Sequence, residues 1–395
     1  NCAIVGINWG DEGKGRMVDL IAREYDIVCR YQGGNNAGHT VVNERGKFIL
    51  NLIPSGILRP DVVCVMGGGM VIDPEHLEKE IASLTEKGIE ISPKNLKISD
   101  RATITMPFHV AQDGLEEERL SKTGAQFGST KRGIAYAYGD KYMKKTLRMG
   151  DLLHLDDAVK KRLVTMVDSK NLVMEGSYNA APISVDEMWA WLEKYAAIFK
   201  DYICDVGQYL ADADAEGKKV LFEAQLGALR DIDFGIYPYT TSSNVIGAYA
   251  PIGAGIPEAR LDSIIGIMKA YSTCVGEGPF VCEWSGPEAD RLREAGSEYG
   301  AKTGRPRRVG PIDLVATRYG VETQGATNIA LTKLDVLSYM DKIPVCAHYE
   351  LNGEQTDDFP FPVLLQDAKP VVEYLPGWQC DISGARNWED LPEAA

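Results

Sequence analysis

Short apolar runs alternate with amphipathic stretches along the N-terminal part of the chain. Four runs are compact and mostly apolar, which is typical of strands buried on both faces of a parallel sheet. They are residues 2–8, 27–29, 48–50 and 62–66. Residues 75–88 instead place Leu77, Ile81 and Leu84 on one face of a predicted helix, and Gly88 ends it.

The same alternation returns later in the chain. Strands are predicted at residues 220–222, 264–268, 328–332 and 345–350, with 328–332 buried, and helices at 287–298 and 312–320. Residues 101–150 are polar and rich in Gly and Lys, so we expect a substrate-loop insertion with short helices there. Without a visible repeat, linker or boundary, the pattern favours one α/β domain over residues 1–395. Its single large, doubly wound, mostly parallel sheet would gather ligands at the carboxyl ends of its strands.

Composition limits the classes of protein to which this chain can belong. Of 395 residues, 45 % are apolar and 25 % are charged, as in an ordinary globular protein. No apolar run reaches the roughly 18 residues that span a bilayer, and residues 1–5 show no signal-peptide pattern. The net charge of −15 argues against general nucleic-acid binding, although local basic clusters could still bind small anions.

The eight cysteines form no CxxC pair and no zinc-like spacing. Three of them, Cys29, Cys64 and Cys346, lie in apolar runs. This placement predicts buried free thiols and a reducing cytosol. A metal-binding or disulfide role is the alternative.

A glycine-rich turn follows the first apolar run and reads Gly10-Asp11-Glu12-Gly13-Lys14-Gly15. Its glycines let backbone N–H groups approach phosphate oxygens, and the N-terminus of the next helix adds positive potential. Lys14 can reach a phosphate as a point charge. The turn is not a Walker A motif, because Gly15 stands where Ser or Thr would bind magnesium. Asp11 could instead supply a metal ligand or act as a base; the alternative is a plain glycine-rich turn.

A second glycine-rich segment follows the second strand and reads Gln32-Gly33-Gly34-Asn35-Asn36-Ala37-Gly38-His39-Thr40. Amides and one imidazole among glycines suit a loop that binds an anion or a base. A single His is more often structural than catalytic, but a loop directly after a buried strand favours function for His39. We expect the two glycine-rich loops to fold against each other.

Three later segments also carry candidate chemistry. Asp335, in Thr332-Lys333-Leu334-Asp335, can accept hydrogen bonds from the N1–H and amine of guanine, a donor pair that adenine lacks. Four cations lie within residues 302–308, where Arg suits carboxylates or phosphates; the alternative is a solvated charge run. The hydroxyl groups of residues 237–244 either make hydrogen bonds within their own turn or donate hydrogen bonds to a phosphate.

Seven motifs, in this order, resemble those of the adenylosuccinate synthetase family. They are WGDEGKG, QGGNNAGHT, NLIPSGIL, DIDFGIYPYTTSSN, KAYST-x-VG-x-GPF, TGRPRRVG and TKLDVL. The resemblance runs from residue 2 to about residue 378. The resemblance implies a P-loop-GTPase-like fold and a cytoplasmic homodimer that ligates L-aspartate to inosine monophosphate (IMP) with GTP. Adenylosuccinate, GDP and phosphate are the products. Neither nucleic acid nor a membrane is an expected partner.

The family chemistry assigns roles to matching residues. Asp11 matches the base that takes the N1 proton of IMP, whose 6-oxyanion then attacks the γ-phosphate of GTP. His39 matches the residue that hydrogen-bonds the departing phosphate oxygen, and Lys14 adds positive charge. Asp11 and the Gly38 carbonyl match the ligands of Mg²⁺, which spreads the transferred charge. The amine of aspartate then displaces phosphate from C6 of the 6-phosphoryl intermediate.

Other residues match the family's binding positions. Those implied to bind GTP or the metal are Gly10, Glu12, Gly13, Lys14, Gly15, Arg16, Gly38, His39, Thr40, Arg307, Lys333, Leu334 and Asp335. Those implied to bind IMP or aspartate are Asn36, Ala37, Thr130, Lys144, Gln225, Thr241, Ala301, Lys302, Thr303, Gly304 and Arg305.

The chain departs from the family pattern in three places. Lys144 or Lys145 stands where the family donates an Arg across its dimer. Lys keeps the positive charge but lacks the planar guanidinium that can bind a phosphate through two hydrogen bonds. The family's GAQG is here Glu223-Ala224-Gln225-Leu226-Gly227, so the Gln is shifted by one position. The sequence ends at Ala395, before the family's guanine-contacting segment, which implies either an incomplete sequence or a less enclosed GTP pocket.

Two other functions compete with this interpretation. One is a viral-type ligase that uses a guanine monophosphate as acceptor, a branch that lacks the carboxylate at the position of Asp11. The presence of Asp11 therefore favours IMP. The other is a GTP-binding switch without ligase activity, which would explain the first glycine-rich loop and Asp335 but not the Arg-rich loop or QGGNNAGHT.

Overall fold

The structure is a computed structural model that describes residues 1–125, 128–300 and 304–395. The chain forms two compact units. Unit 1 comprises Asn1–Ile4, Gly15–Gln225 and Thr241–Asp262, and unit 2 comprises Val5–Lys14, Leu226–Thr240 and Ser263–Ala395.

Strands and helices alternate along most of the chain. The strands are β1 (Cys2–Gly6), β2 (Ile27–Arg30), β3 (His39–Asn43), β4 (Gly46–Leu50), β5 (Val63–Met66), β6 (Val71–Ile72), β7 (Leu96–Ser99), β8 (Thr103–Ile104), β9 (Ile203–Cys204), β10 (Val220–Glu223), β11 (Ser263–Lys269), β12 (Tyr271–Cys274), β13 (Arg308–Asp313), β14 (Asn328–Thr332), β15 (Lys342–Leu351), β16 (Glu354–Thr356) and β17 (Lys369–Pro376). The helices are α1 (Lys14–Ile21), α2 (Pro74–Glu86), α3 (Pro107–Ser121), α4 (Ile134–Tyr142), α5 (Asp157–Tyr178), α6 (Val185–Phe199), α7 (Val206–Ala215), α8 (Ala250–Ala254), α9 (Pro287–Gly296) and α10 (Leu314–Gln324).

The predicted parallel sheet is present. In unit 1 six strands pair in the order β1-β10-β2-β5-β7-β9, and in unit 2 β11 pairs in parallel with β14. In unit 1, β1, β10, β2, β5, β7 and β9 pair in parallel, with Ala3 opposite Phe222 and Phe222 opposite Cys29. Every residue of β1, β2 and β10 is buried, as expected for short apolar strands covered on both faces. The prediction of an α/β fold with a mostly parallel sheet is confirmed.

Unit 2 contains a second, mixed sheet. Its strands run in the order β12-β13-β15-β16, and β17 pairs with β15. One core cluster of the unit packs Trp9, Val315 and Tyr349 together, and another packs Tyr271, Leu292 and Ile343. These clusters fix the ends of β12, β13 and α10, which carry several candidate site residues.

Two predicted strands form but differ from their predicted surroundings. Residues 48–50 lie in β4, which pairs antiparallel with β3 in a two-stranded hairpin rather than in the parallel sheet. The hairpin forms because Gly46, at φ 125°, closes a short turn in which the Arg45 N–H donates to Asn43 Oδ1. The prediction that residues 328–332 are buried is wrong, because β14 is an edge strand in which Leu331 is 48 % exposed.

The helical predictions hold with shifted ends. Residues 75–88 correspond to α2, whose N-cap Asp73 accepts from the His76 N–H at 3.1 Å. Residues 312–320 correspond to α10, but its start moves to Leu314 because Asp313 ends β13 and caps the helix. Residues 101–150 contain α3, which has 15 residues and is longer than the expected short helices.

The cysteine prediction is confirmed where it concerns burial. All eight cysteines lie among the described residues and are free thiols, and Cys29, Cys64 and Cys346 are buried. Burial raises the pKa of the Cys346 thiol to about 12. The described residues include no helix with the length and apolar character needed to span a bilayer.

Candidate active site

The first glycine-rich loop is held by its own glutamate. In unit 2, Glu12 Oε1 accepts from the backbone N–H groups of Asn8 and Gly10, at 3.2 and 2.8 Å. Glu12 Oε2 pairs with Lys14 Nζ at 2.8 Å, and both side chains are buried. The loop is therefore folded around an internal ion pair, with Lys14 fixed beside its backbone.

Asp11 lies in this loop with a backbone conformation that is rare for a side chain other than Gly. Its φ is 63°, between Gly10 at 104° and Gly13 at 100°. Such left-handed backbone is found disproportionately at functional sites. The Asp11 side chain is 38 % exposed, and its Oδ2 lies 3.3 Å from Arg307 Nε. A reachable carboxylate next to a guanidinium can act as a base or as a metal ligand.

The TKLD segment lies next to the first glycine-rich loop in unit 2. The Thr332 hydroxyl donates to the Glu12 carbonyl at 3.0 Å. Lys333 has φ 63°, and its Nζ donates to the Gly296 carbonyl at 2.8 Å. Asp335 is exposed, as a carboxylate that reads a base edge should be. Unit 2 thus places the first glycine-rich loop, which is predicted to bind phosphate, next to Arg307 and next to the segment predicted to recognise guanine.

The Arg-rich loop is described at both of its ends. Tyr299 and Pro306 form an antiparallel bridge, and the Gly300 N–H donates to the Arg305 carbonyl at 2.8 Å. Gly304 and Arg305 are exposed. The predicted substrate residues Ala301, Lys302 and Thr303 lie outside the described residues.

The imidazole of His39 is oriented by a buried glutamate in unit 1. His39 Nδ1 is hydrogen bonded to Glu223 Oε1. The Ser55 hydroxyl and N–H also donate to Glu223, at 2.6 and 2.7 Å. Burial alone would raise the pKa of the Glu223 carboxyl, but His39, Arg30 and Ser55 together hold that pKa below its ordinary value. Glu223 is therefore a buried carboxylate that fixes the imidazole.

Glu223 was not among the site residues predicted from the sequence. The only local signal is an acidic residue that ends the apolar strand β10. Gly15 is also close to His39, because a Cβ on Gly15 would lie 2.9 Å from the His39 Cβ. Any larger residue at position 15 would displace the imidazole.

The second glycine-rich loop is tied to the segment after β10 in unit 1. Gln32 Nε2 donates to the Gln225 carbonyl at 3.0 Å, and Gln225 Nε2 donates to the Gly34 carbonyl at 2.8 Å. The Ser243 hydroxyl donates to Gln32 Oε1 at 3.1 Å, which adds the hydroxyl-rich segment. The structure thus joins three motifs that are far apart in sequence.

Three buried polar atoms of this region have no hydrogen-bond partner among the described residues. They are Asn36 Oδ1, Gln225 Oε1 and Thr241 Oγ1. Unpartnered buried polar atoms are rare in folded proteins and usually indicate a bound water or ligand. All three belong to residues predicted to bind the nucleotide monophosphate.

The remaining predicted substrate residues, Thr130 and Lys144, are exposed. Thr130 lies in a turn organised by Asp113, which accepts from the Ser129 hydroxyl at 2.7 Å and from the Gly133 N–H at 2.8 Å. Lys144 follows α4 with φ 62°. Asp113 therefore holds the turn around Thr130 in place, whereas the Lys144 side chain is exposed.

A model of the adenylosuccinate synthetase family matches residues 3–395. The chain belongs to the adenylosuccinate synthetase family. An adenylosuccinate synthetase from Caldanaerobacter subterraneus subsp. tengcongensis is 44 % identical over 390 residues, which are 98 % of this chain and 90 % of the relative. One from Halothermothrix orenii is 44 % identical over 396 residues, covering 100 % of this chain and 91 % of the relative.

Solved structures agree with the family membership. A fully ligated adenylosuccinate synthetase from Plasmodium falciparum has a TM-score of 0.91 and 35 % identity, covering 100 % of this chain and 92 % of that one. A cyanophage S-2L succinoaminodeoxyadenylate synthetase, bound to dGMP and dATP, has a TM-score of 0.57 and 23 % identity, with 84 % of each chain covered. The second likeness shows the fold alone.

The adenylosuccinate synthetase family ligates L-aspartate to IMP with GTP in the synthesis of AMP. The predicted family, ligase reaction and use of GTP are therefore confirmed. The roles of individual residues remain predictions.

Proposed function

We propose that Asp11 is the base of the ligase reaction and that it takes the N1 proton of IMP. The observation that carries this role is the Asp11 carboxylate itself, which is 38 % exposed on left-handed backbone between two glycines. A base must reach its substrate, and Glu12 in the same loop is buried and paired with Lys14. With the N1 proton removed, the 6-oxygen of IMP carries the charge needed to attack the γ-phosphate of GTP.

His39 stabilises the phosphate oxygen that develops charge as this bond forms. Because Nδ1 contacts Glu223, the hydrogen bond to phosphate would come from Nε2. The GDP oxygen leaves and 6-phosphoryl-IMP remains. The amine of aspartate then attacks C6, phosphate departs with the former 6-oxygen, and adenylosuccinate is released. The fixed imidazole and Lys14 supply charge stabilisation without reorganisation.

Asn36, Ala37, Thr130, Gln225 and Thr241 bind IMP in this proposal. Support comes from the buried oxygens of Asn36, Gln225 and Thr241, which have no protein partner within the described part of the chain. Residues 301–305 receive aspartate, and Arg307 with residues 333–335 binds GTP.

Magnesium is the proposed metal, held by the Asp11 carboxylate and the Gly38 carbonyl. Both donors are oxygens, which Mg²⁺ prefers. No group of three or more His, Cys, Asp or Glu side chains suited to a metal occurs among the residues described. Mg²⁺ commonly binds one or two carboxylates together with substrate phosphates. When bound, the metal would neutralise charge on the transferred phosphoryl group.

The enzyme is also proposed to act in the cytoplasm as a homodimer, with Lys144 or Lys145 reaching the monophosphate in the partner subunit. An inactive Asp11→Ala chain mixed with an inactive Lys144→Ala, Lys145→Ala chain tests this arrangement. Recovery of activity on mixing supports a shared site, because one of the two sites then has all intact groups. Mixtures that stay inactive while native mass spectrometry shows mixed dimers would contradict it.

A substrate-omission assay tests the proposed reaction. Turnover of GTP should require both IMP and aspartate, and adenylosuccinate should form in equal amount. Acceptance of dGMP in place of IMP would favour the guanine-accepting ligase, and aspartate-independent GTP hydrolysis would favour a switch. Asp11→Ala and His39→Ala should each lower kcat by about a hundredfold or more while GDP still binds.

A further inference from the structure

The hydroxyl of Tyr138, in α4, joins two backbone segments inside unit 1. It accepts from the Gly33 N–H at 2.9 Å and donates to the Gly69 carbonyl at 2.8 Å, and the residue is only 4 % exposed. A phenol that both donates and accepts is neutral, and burial raises the pKa of Tyr138, which keeps it so. Tyr138 therefore connects the second glycine-rich loop, which contains Gly33, to the segment that follows β5.

The Gly69 end of this connection is fixed by close backbone packing. The Gly69 N–H donates to the Gly253 carbonyl at 2.8 Å. A Cβ on Gly69 would lie 2.2 Å from the Tyr31 carbonyl oxygen, so no side chain fits there. The Tyr138 hydroxyl is therefore anchored on a tightly packed part of the backbone, from which it holds the Gly33 peptide in place.

Helix α4 is itself held at both ends by polar contacts. Before its first turn, the Gly133 N–H donates to Asp113 Oδ2 at 2.8 Å. In its last turn, the buried Asp140 Oδ2 lies 2.9 Å from Lys170 Nζ and 2.9 Å from His109 Nε2. The phenol therefore extends from a fixed helix.

The side chain of Gln225 lies directly against Gly33. The φ of Gly33 is 82°, and a Cβ there would lie 2.2 Å from Gln225 Oε1. Gln225 Nε2 donates to the Gly34 carbonyl at 2.8 Å and to the Asn51 carbonyl at 3.2 Å. Gln225 Oε1 is buried and has no partner in the part of the chain that the structure describes. The backbone of the second glycine-rich loop thus sets the direction in which this oxygen points.

We propose that Tyr138 is a positioning residue for IMP: it fixes the Gly33 peptide, and the loop backbone in turn directs Gln225 Oε1 at the substrate. The inference rests on the proposed binding of IMP by Gln225. Arg307 and residues 333–335, which are proposed to bind GTP, belong to unit 2, whereas these hydrogen bonds of Tyr138 lie in unit 1. Loss of the hydroxyl should therefore weaken the binding of IMP selectively.

Tyr138→Phe tests the proposal, because it removes the hydroxyl and keeps the ring. We expect this variant to fold and to raise KM for IMP about tenfold in initial rates of adenylosuccinate formation, with KM for GTP within about twofold. A tenfold change corresponds to about 1.4 kcal/mol, which is the contribution of one hydrogen bond. The Kd of IMP from titration calorimetry should rise by the same factor. At saturating substrates kcat should stay within about threefold, because the reacting groups are unaltered.

Two matched controls separate positioning from a loss of stability. Tyr142→Phe removes a hydroxyl from the same helix, where the side chain is 68 % exposed, and should leave both KM values unchanged. Tyr349→Phe removes a buried hydroxyl in unit 2 that donates to Asp313 at 2.5 Å. It should lower the urea midpoint, as Tyr138→Phe does, and yet leave KM for IMP within about twofold.

A double-mutant cycle tests whether Tyr138 acts through Gln225. In a Gln225→Leu enzyme, adding Tyr138→Phe should change KM for IMP by less than about twofold, because the oxygen that Tyr138 positions is gone.

Four results would overturn the inference. They are an unchanged KM for IMP in Tyr138→Phe, an equal rise of KM for IMP and GTP, the same rise with and without Gln225, and failure of Tyr138→Phe to fold. The last would show that the hydroxyl serves the fold rather than the substrate. Failure of the proposed function is distinct, because a normal KM for IMP in Gln225→Leu alone would show that Gln225 does not bind IMP.

Discussion

Replacing Glu223 tests how far the activity of His39 depends on a buried carboxylate. Glu223 accepts hydrogen bonds from His39 Nδ1 and from the hydroxyl and N–H of Ser55, and it lies near the charge of Arg30. Glu223→Gln keeps the shape but places an amide where a charged acceptor stood. Breaking one member of a buried charge network costs about 3–5 kcal/mol.

Urea unfolding and initial rates of adenylosuccinate formation measure the two consequences. The free energy of unfolding should fall by about 3 kcal/mol, and kcat should fall by about 100-fold because the imidazole is no longer held in one orientation. Ser55→Ala is the matched control. It removes one hydrogen bond to the same carboxylate, so it should cost about 1 kcal/mol and leave kcat within about threefold.

The direction of the Glu223 pKa shift predicts how the loss of stability in Glu223→Gln depends on pH. The pKa of Glu223 is lowered in the folded protein, so the carboxylate stabilises the fold above its unfolded pKa of about 4.3 and loses that effect as pH falls through the folded pKa. The stability gap between the original protein and Glu223→Gln should persist at neutral pH and narrow below about pH 4. A variant that keeps normal kcat despite lost stability would refute the orienting role of Glu223.

Three further changes have defined outcomes. Thr241→Val should raise KM for IMP about tenfold without changing KM for GTP, because the unpartnered Oγ1 is lost at constant shape; equal changes in both KM values would contradict this. Asp335→Ala should reduce the preference for GTP over other purine triphosphates in competition assays, and an unaltered preference would rule out guanine recognition by Asp335. Gln225→Leu should lower the free energy of unfolding by about 1–3 kcal/mol in urea, since the Gly34 carbonyl loses the Gln225 donor and the Asn51 carbonyl keeps only Arg30; undiminished stability would argue against that structural contribution.

Strands β1, β2 and β10 were predictable because they are buried along their whole length. The apolar runs at 2–8, 27–29 and 220–222 are short, as is typical of buried strands. Periodicity could not predict that β4 would pair with β3, since a buried hairpin strand and a buried parallel strand read alike. It also could not predict the exposure of β14, because edge position depends on which strands pair and not on the residues themselves.

The residues of the candidate site also differ in how readily the sequence predicts them. Glycine-rich loops after strands could be read directly, because positive φ and close approach of backbone require Gly locally. Glu223 could not, because it acts on His39, which lies 184 residues away in sequence. Its acidic side chain would look like an ordinary surface charge without the fold that buries it. Sequence therefore identifies candidate substrate-binding groups more readily than the groups that orient them.

An oxygen label at C6 of IMP shows whether the reaction passes through 6-phosphoryl-IMP. IMP labelled with ¹⁸O at C6 is incubated with the enzyme, GTP and aspartate, and the released phosphate is analysed by mass spectrometry. The account predicts one ¹⁸O in the phosphate for each adenylosuccinate formed, because the 6-oxygen is phosphorylated before aspartate displaces it. Unlabelled phosphate, with the label released into water, would contradict transfer through 6-phosphoryl-IMP.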